Sequence, residues 1–385
     1  MRADRLRGIP PTIFAEMSAL AVRTGAINLG QGSPDSDGPA SMVARAVKAL
    51  ESGVNQYPPG IGIPELRQAI AGHQRRHYGL ELDPDSQVVV TTGCTEAIAG
   101  AILGLVDPGD EVVVLEPYYD SYVAMLQMAG AVRRPVTLRA PDFRLPLDEL
   151  RAAITPRTRF LLVNTPHNPT GAVLDDEELG ALAELALEHD LIAITDEVYE
   201  HLTFDGVRHR PLATLPGMFD RTLTLSSVGK SYSMTGWKVG WGTGPAELVA
   251  DLLAAKQWLS FTSGAPLQPA VAFGLDQEPD WPAALAADLQ RRRDLLLDGL
   301  AAAGLPGHRS EGSYFTISDV SHLGWPDSVA FCRALPERAG VVAIPIQPFY
   351  DDPDAGRHLV RWTFCKDEPV LVDAVRRLAE ADLRA

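Results

Sequence analysis

The chain has 385 residues, 46% of them hydrophobic and 22% charged, with a formal net charge of −16. That length supports two packed domains, or one large domain with a smaller satellite. The acidic balance, with no basic cluster to offset it, excludes a protein built to hold a polyanion, because phosphate backbones are bound by positive surface.

Cys94, Cys332 and Cys365 are widely spaced and odd in number. They indicate neither a disulfide framework nor a zinc site, and no metal-ligand set is expected. Arg2, Arg5 and Arg7 ahead of Ala19-Leu20-Ala21 faintly resemble a secretory leader, but Pro10, Pro11 and Glu16 interrupt any apolar core region. No run approaches ~18–20 apolar residues, so no membrane span is expected. The expectation is a soluble cytoplasmic protein without nucleic-acid or membrane partners.

Residues 1–38 read as irregular, with a glycine- and proline-punctuated loop at Asn28 to Asp35. A second such loop, Asn55 to Gly62, leads into a helix that has Pro64 in its first turn and Gly79 after its last. From Gln87 to Gly244 the pattern is regular. Apolar runs at 87–92, 111–115, 159–163, 191–195, 222–225 and 239–242 are separated mostly by helical segments, notably 95–106 and 175–189. Continuous Val, Ile and Leu runs alternating with helices predict an α/β fold, with a largely parallel sheet covered on both faces. Ligands of such sheets bind beyond the carboxyl ends of the strands.

The first run ends in Gly93-Cys94-Thr95-Glu96 and enters a helix directly; this is either a phosphate site or an ordinary cap. The second ends in Glu116-Pro117-Tyr118-Tyr119-Asp120, and the third in Asn164-Thr165-Pro166-His167-Asn168-Pro169-Thr170-Gly171. The fourth ends in Asp196-Glu197-Val198-Tyr199, and the fifth delivers Ser227 and Lys230, with Lys238 close behind. A lysine held among small residues beyond a buried strand has a lowered pKa, and its free amine condenses with an aldehyde. Lysine, acid, phenol, amide, aromatic ring and phosphate cradle at one sheet edge together describe a pyridoxal phosphate pocket.

A long helix over about 282–303 carries Arg291-Arg292-Arg293-Asp294, read as a solvated face. Apolar runs follow at 312–317, 341–345 and 358–364. In the last, Val360, Trp362 and Phe364 share one face and Arg361 takes the other. An arginine there needs a partner. A substrate carboxylate and a protein carboxylate both satisfy that need.

The segments 164–171, 195–200 and 227–230, with Gly236-Trp237-Lys238, resemble the fold-type I, class I/II aminotransferases across essentially the full chain. Ile13 to Ala21, Asn55 to Gly60 and Thr363-Phe364-Cys365-Lys366 add a likeness to kynurenine, glutamine and methionine aminotransferases and to the actinobacterial N-succinyldiaminopimelate aminotransferase-like enzymes. The resemblance implies an aspartate aminotransferase-like fold: an N-terminal arm and part of the small domain in 1–38, a large cofactor domain in 39–282, and a small α+β domain in 283–385. It implies pyridoxal 5'-phosphate as cofactor and a homodimer with shared active sites.

By the same resemblance, Lys230 would form the Schiff base and move the proton, while Asp196 would pair with the pyridine nitrogen. Tyr199 and Asn168 would bond the ring oxygen, and Tyr119 would stack on the ring. Gly93, Cys94, Thr95, Ser227 and Lys238 would hold the phosphate, with Tyr57 reaching in from a partner subunit. Arg361, helped by Gly32 and Asn168, would clamp the substrate carboxylate. Apart from the resemblance, residues near Ile13-Phe14, Tyr57, Phe261 and 347–349 are expected to line the side-chain pocket. Cys94 and Met234 stand where the family pattern has a small residue, and Met234 is expected to reshape the entrance. The implied reaction is ping-pong amino transfer between an L-amino acid and a 2-oxo acid. The alternative is β/γ-elimination or γ-replacement on the same scaffold, which these motifs do not separate.

Overall fold

Runs of β-branched and apolar residues become most of the strands of one seven-stranded sheet. The structure is a computed structural model that describes residues 3–9 and 11–385. Arg2 and Pro10, part of the leader argument, lie outside the described residues. The sheet's strands are β1 (Val88–Thr92), β2 (Glu111–Glu116), β3 (Val132–Thr137), β4 (Thr158–Asn164), β5 (Ile192–Asp196), β6 (Thr222–Ser227) and β7 (Val239–Thr243). Their spatial order is β1-β7-β6-β5-β4-β2-β3. Strand β7 runs antiparallel to both its neighbours, and the remaining pairings are parallel. Because β7 is reversed, its first residues lie at the edge where the other strands finish. Lys238 therefore arrives at the carboxyl edge although it precedes its strand.

Strand β3 carries Arg133, Arg134 and Pro135, which broke the apolar pattern and hid it from the sequence reading. It pairs with β2 alone, and an edge strand tolerates a proline that a central strand would not. The Gly93–Leu105 helix packs on the Ala246–Lys256 helix. Their approach is close enough that a Cβ at Gly104 would meet the Asp251 carbonyl oxygen at 2.2 Å.

Toward the C-terminus, Phe315–Asp319, Leu359–Thr363 and Ile344–Pro345 form a small antiparallel sheet. The expected single strand over 341–345 is divided. Its first half, Val341–Val342, pairs in parallel with Ile27–Asn28. The N-terminal stretch is accordingly not irregular. It holds a 3-10 turn at Asp4–Leu6 and a helix at Ile13–Thr24, whose Thr12 Oγ1 accepts the Ala15 N–H at 3.2 Å and whose end is capped by Gly25 in the left-handed region.

The arginine run is also corrected. In the Trp281–Ala302 helix Arg293 is fully buried, donating to the Ser310 carbonyl at 2.7 Å and paired with Asp205 and Asp294. Leu289, Arg293, Leu296 and Leu300 fall on one buried face, so helical geometry places the charge inside.

Candidate active site

Strand β6 ends at Ser227, whose side chain caps a single helical turn, Val228–Ser231. That turn presents Lys230 to a cavity of about 430 Å³ at the carboxyl edge of the sheet. Lys230 Nζ donates to the Tyr314 hydroxyl at 2.6 Å, and Tyr314 donates onward to the Gly32 carbonyl at 2.7 Å. Desolvation brings the lysine ammonium from 10.5 down to about 8. A group so tuned exchanges its proton near neutrality.

Asp196, at the end of β5, is 4% exposed. Its Oδ2 accepts the Tyr122 hydroxyl at 2.5 Å, its Oδ1 accepts the Val198 N–H at 3.3 Å, and Cys94 Sγ lies 3.6 Å from Oδ1. Among the described residues no Lys or Arg forms an ion pair with it, and burial raises its pKa. Such a buried carboxylate awaits a positive partner.

The Asn164 side chain joins two strand ends. It donates to the Asp196 carbonyl at 2.8 Å and accepts the Asn168 N–H at 2.8 Å. Asn168 Oδ1 in turn accepts from Arg361 Nη1 at 2.9 Å, while Nη2 donates to the Gly30 carbonyl at 2.7 Å. Arg361 Nε is buried and unpartnered, and no carboxylate among the described residues lies within ion-pair reach of the guanidinium. Among the described residues of this chain the guanidinium therefore has no salt-bridge partner, one of the two readings left open for it. Its guanidinium lies over the Phe315 ring at 3.9 Å and the Phe14 ring at 4.9 Å, and burial lowers it to about 10.

Across the cavity Gly93 opens the Gly93–Leu105 helix at φ +67°, and a Cβ there would come within 2.9 Å of Lys238 Nζ. Lys238, itself at φ 52°, puts Nζ 3.4 Å from Thr95 Oγ1. Free N–H groups at a helix start, a hydroxyl and an ammonium make an anion cradle. Tyr119 lines the same space, with its phenol pushed up to about 12 by burial. Buried Tyr199 packs edge-on against Tyr314, ring centroids 5.2 Å apart, and burial raises its phenol too.

Phe14, Gly32, Gly93, Cys94, Thr95, Tyr119, Asn168, Asp196, Tyr199, Ser227, Lys230, Lys238 and Arg361 thus converge on one cavity. Tyr57 does not line it and is 83% exposed, touching Phe261 edge-on at 5.6 Å. Phe261 and residues 347–349 also stay out of the lining, although Phe349 backs Phe14 at 5.5 Å. Met234 is buried against the position of Gly38 and does not touch the cavity, so the expected reshaped entrance is not found. Tyr314, Tyr122 and Asp120 were missed in the sequence. Asp120 sat in a quoted strand-end motif, and its acidity was the available signal.

The Aminotransferase class I and II family model matches residues 24–378. A probable N-succinyldiaminopimelate aminotransferase of Mycobacterium tuberculosis is 55% identical, covering 98% of both chains. The methionine aminotransferase of Escherichia coli is 39% identical over 98% of this chain and 97% of its own. The solved M. tuberculosis N-succinyldiaminopimelate aminotransferase superposes with a TM-score of 0.96 at 55% identity, covering 98% of this chain and 99% of that one. The chain belongs to the class I and II aminotransferases, with their fold-type I architecture. It is an enzyme that transfers amino groups, in a family that works with pyridoxal phosphate.

Proposed function

We propose that this chain holds pyridoxal 5'-phosphate in the 430 Å³ cavity and exchanges amino groups between an L-amino acid and a 2-oxo acid by ping-pong. The observation that carries the reading is one cavity lined by the tuned amine of Lys230, the unpaired buried carboxylate of Asp196 and the cradle at Gly93. Each answers one part of that cofactor: aldehyde, ring nitrogen and phosphate. When bound, the cofactor supplies an electron sink for a carbanion formed beside it.

In this reading Asp196 keeps a proton on the ring nitrogen, and Tyr122 holds the carboxylate in place. Asn168 and Tyr199 would bond the ring oxygen, and Tyr119 would cover a ring face. The Cys94 and Thr95 end of the helix, Ser227 and Lys238 hold the phosphate. Arg361 grips the substrate α-carboxylate with paired N–H···O bonds, beside Gly32 and Phe14, which fixes the direction of Cα–H. Lys230 Nζ accepts that proton and later returns it. Lys230→Ala is expected to abolish turnover, and undiminished steady-state transamination by that variant would sink the assignment.

The 55% identical relative favours N-succinyldiaminopimelate as amino donor over methionine, the substrate named for the 39% relative; the ratio of their kcat/KM values decides. Tyr57 and Phe261, 83% and 50% exposed and in edge-on contact, together with Trp258, 83% exposed and three residues before Phe261, are apolar side chains that a second copy of the chain would cover. Sedimentation as a monomer at micromolar concentration would contradict it. We place the domain boundaries at 38/39 and 282/283.

A further inference from the structure

Away from that cavity three histidines face one another. His73 and His77 lie one turn apart on the Pro64–Tyr78 helix, and His201 follows the Asp196–Glu200 segment. Their ring centroids are 4.6, 4.7 and 4.9 Å apart, an almost equilateral triangle. The rings are tilted or edge-on rather than stacked, and each offers a nitrogen within 4.8 Å of the other two. His73 is buried, while His77 is exposed and borders a second cavity of about 730 Å³, which gives solvent a way in.

We propose that His73, His77 and His201 bind one divalent transition-metal cation, with water completing a four-coordinate shell. Neutral imidazoles suit zinc, nickel and copper, and two histidines a turn apart on one helix face are a chelating arrangement.

Glu200 supplies the electrostatic reason. It is 5% exposed and accepts from the Ser226 hydroxyl at 2.6 Å and from Tyr78, yet no Lys or Arg among the described residues pairs with it. A buried carboxylate with no Lys or Arg paired to it is expensive unless another cation offsets it. A metal in the triangle would do so.

His73 Nε2 and His201 Nε2 are 2.6 Å apart, a shared hydrogen bond. Two nitrogens on a tetrahedral ion at ~2.0–2.1 Å stand about 3.3 Å apart, so the rings must part by about 0.7 Å as the ion replaces the bridging proton. With His73 as the donor in that bond, its Nε2 proton moves to its own Nδ1. Gln74 Nε2 lies 3.4 Å from this Nδ1, while its buried Oε1 has no partner to pin the amide. With the amide turned over, Oε1 accepts Nδ1–H and fixes the Nε2 lone pair toward the ion, the usual support of a ligating histidine.

The test uses untagged holoenzyme, stripped with a chelator and titrated with Zn²⁺ against a chromophoric competitor. One zinc per chain is expected, with a rise in melting temperature. His77→Ala, at an exposed position, and His201→Ala should each weaken binding at least about tenfold, the loss that removing even an outer partner of a metal site causes. His189→Ala, elsewhere on the surface, should bind as the native chain does. Absence of a saturable site, or native affinity in both cluster variants, overturns the proposal.

Discussion

Lys230 and Tyr314 are joined by a 2.6 Å hydrogen bond, Nζ donating to the phenol oxygen, although 84 residues separate them. The Tyr314 hydroxyl passes the connection to the Gly32 carbonyl, which ties the reactive amine to the N-terminal stretch. Tyr314→Phe removes a hydrogen bond to a charged donor, an interaction typically worth ~1.5–3 kcal/mol. We expect kcat about tenfold or more lower, with KM little changed. A native kcat would show that the phenol plays no part in holding the amine.

The pH dependence of cofactor attachment follows from Lys230. An amine is a nucleophile only without its proton, and burial brings this one to about 8. Attachment of pyridoxal phosphate to the apoenzyme should therefore accelerate as pH rises through about 8 and level off above it. An amine left at its ordinary value would put that midpoint more than two pH units higher. Stopped-flow absorbance on apoenzyme distinguishes the two.

Asp196→Asn keeps the shape and one accepting oxygen but removes the charge that faces the ring nitrogen in the proposed site. Loss of a properly placed acid–base group costs about 10²–10⁴-fold in rate, and kcat should fall within that range while the fold persists. Tyr122→Phe, which frees Asp196 Oδ2, should cost much less.

Arg361→Lys keeps the charge but loses the planar fork. Its Nη1 and Nη2 bonds to Asn168 and Gly30 go with it. Steady-state kinetics should show a large rise in KM for the amino donor. Amine donors that lack the α-carboxylate should be affected far less, and equal losses for both donor types would remove Arg361 from the carboxylate's binding.

Arg293 is a stability test remote from the cavity. Its replacement by Ala deletes the packing on Phe204 and three polar contacts. The stranded Asp205 keeps Arg309 and some solvent exposure, so the loss should fall below the ~3–5 kcal/mol of a fully buried broken pair, at about 2–3 kcal/mol. Urea unfolding midpoints measure it.

These positions differ in how far the sequence revealed them. Asp196, Asn168 and Lys230 were legible because each follows a continuous apolar strand and sits in a punctuated turn, and parallel strands deliver such turns to one edge. Arg361 was legible because an ion in an apolar alternation is costly. Tyr314 was not, because its partner comes from a distant part of the chain and its own run reads as core. Arg293 carried a signal that charge obscured: it keeps helical spacing with Leu289, Leu296 and Leu300. The His73–His77 spacing was not singled out in the sequence, where no metal-ligand set was expected, because His201 joins the pair only through tertiary structure.

The central claim is tested most directly by mixing holoenzyme with one equivalent or more of amino donor and no 2-oxo acid acceptor. Ping-pong transfer predicts one 2-oxo acid per active site, no ammonia, and conversion of the cofactor's absorbance to that of its amine form, with Lys230→Ala silent. Continued release of ammonia and 2-oxo acid beyond one equivalent, with the absorbance returning, would contradict it and establish elimination instead.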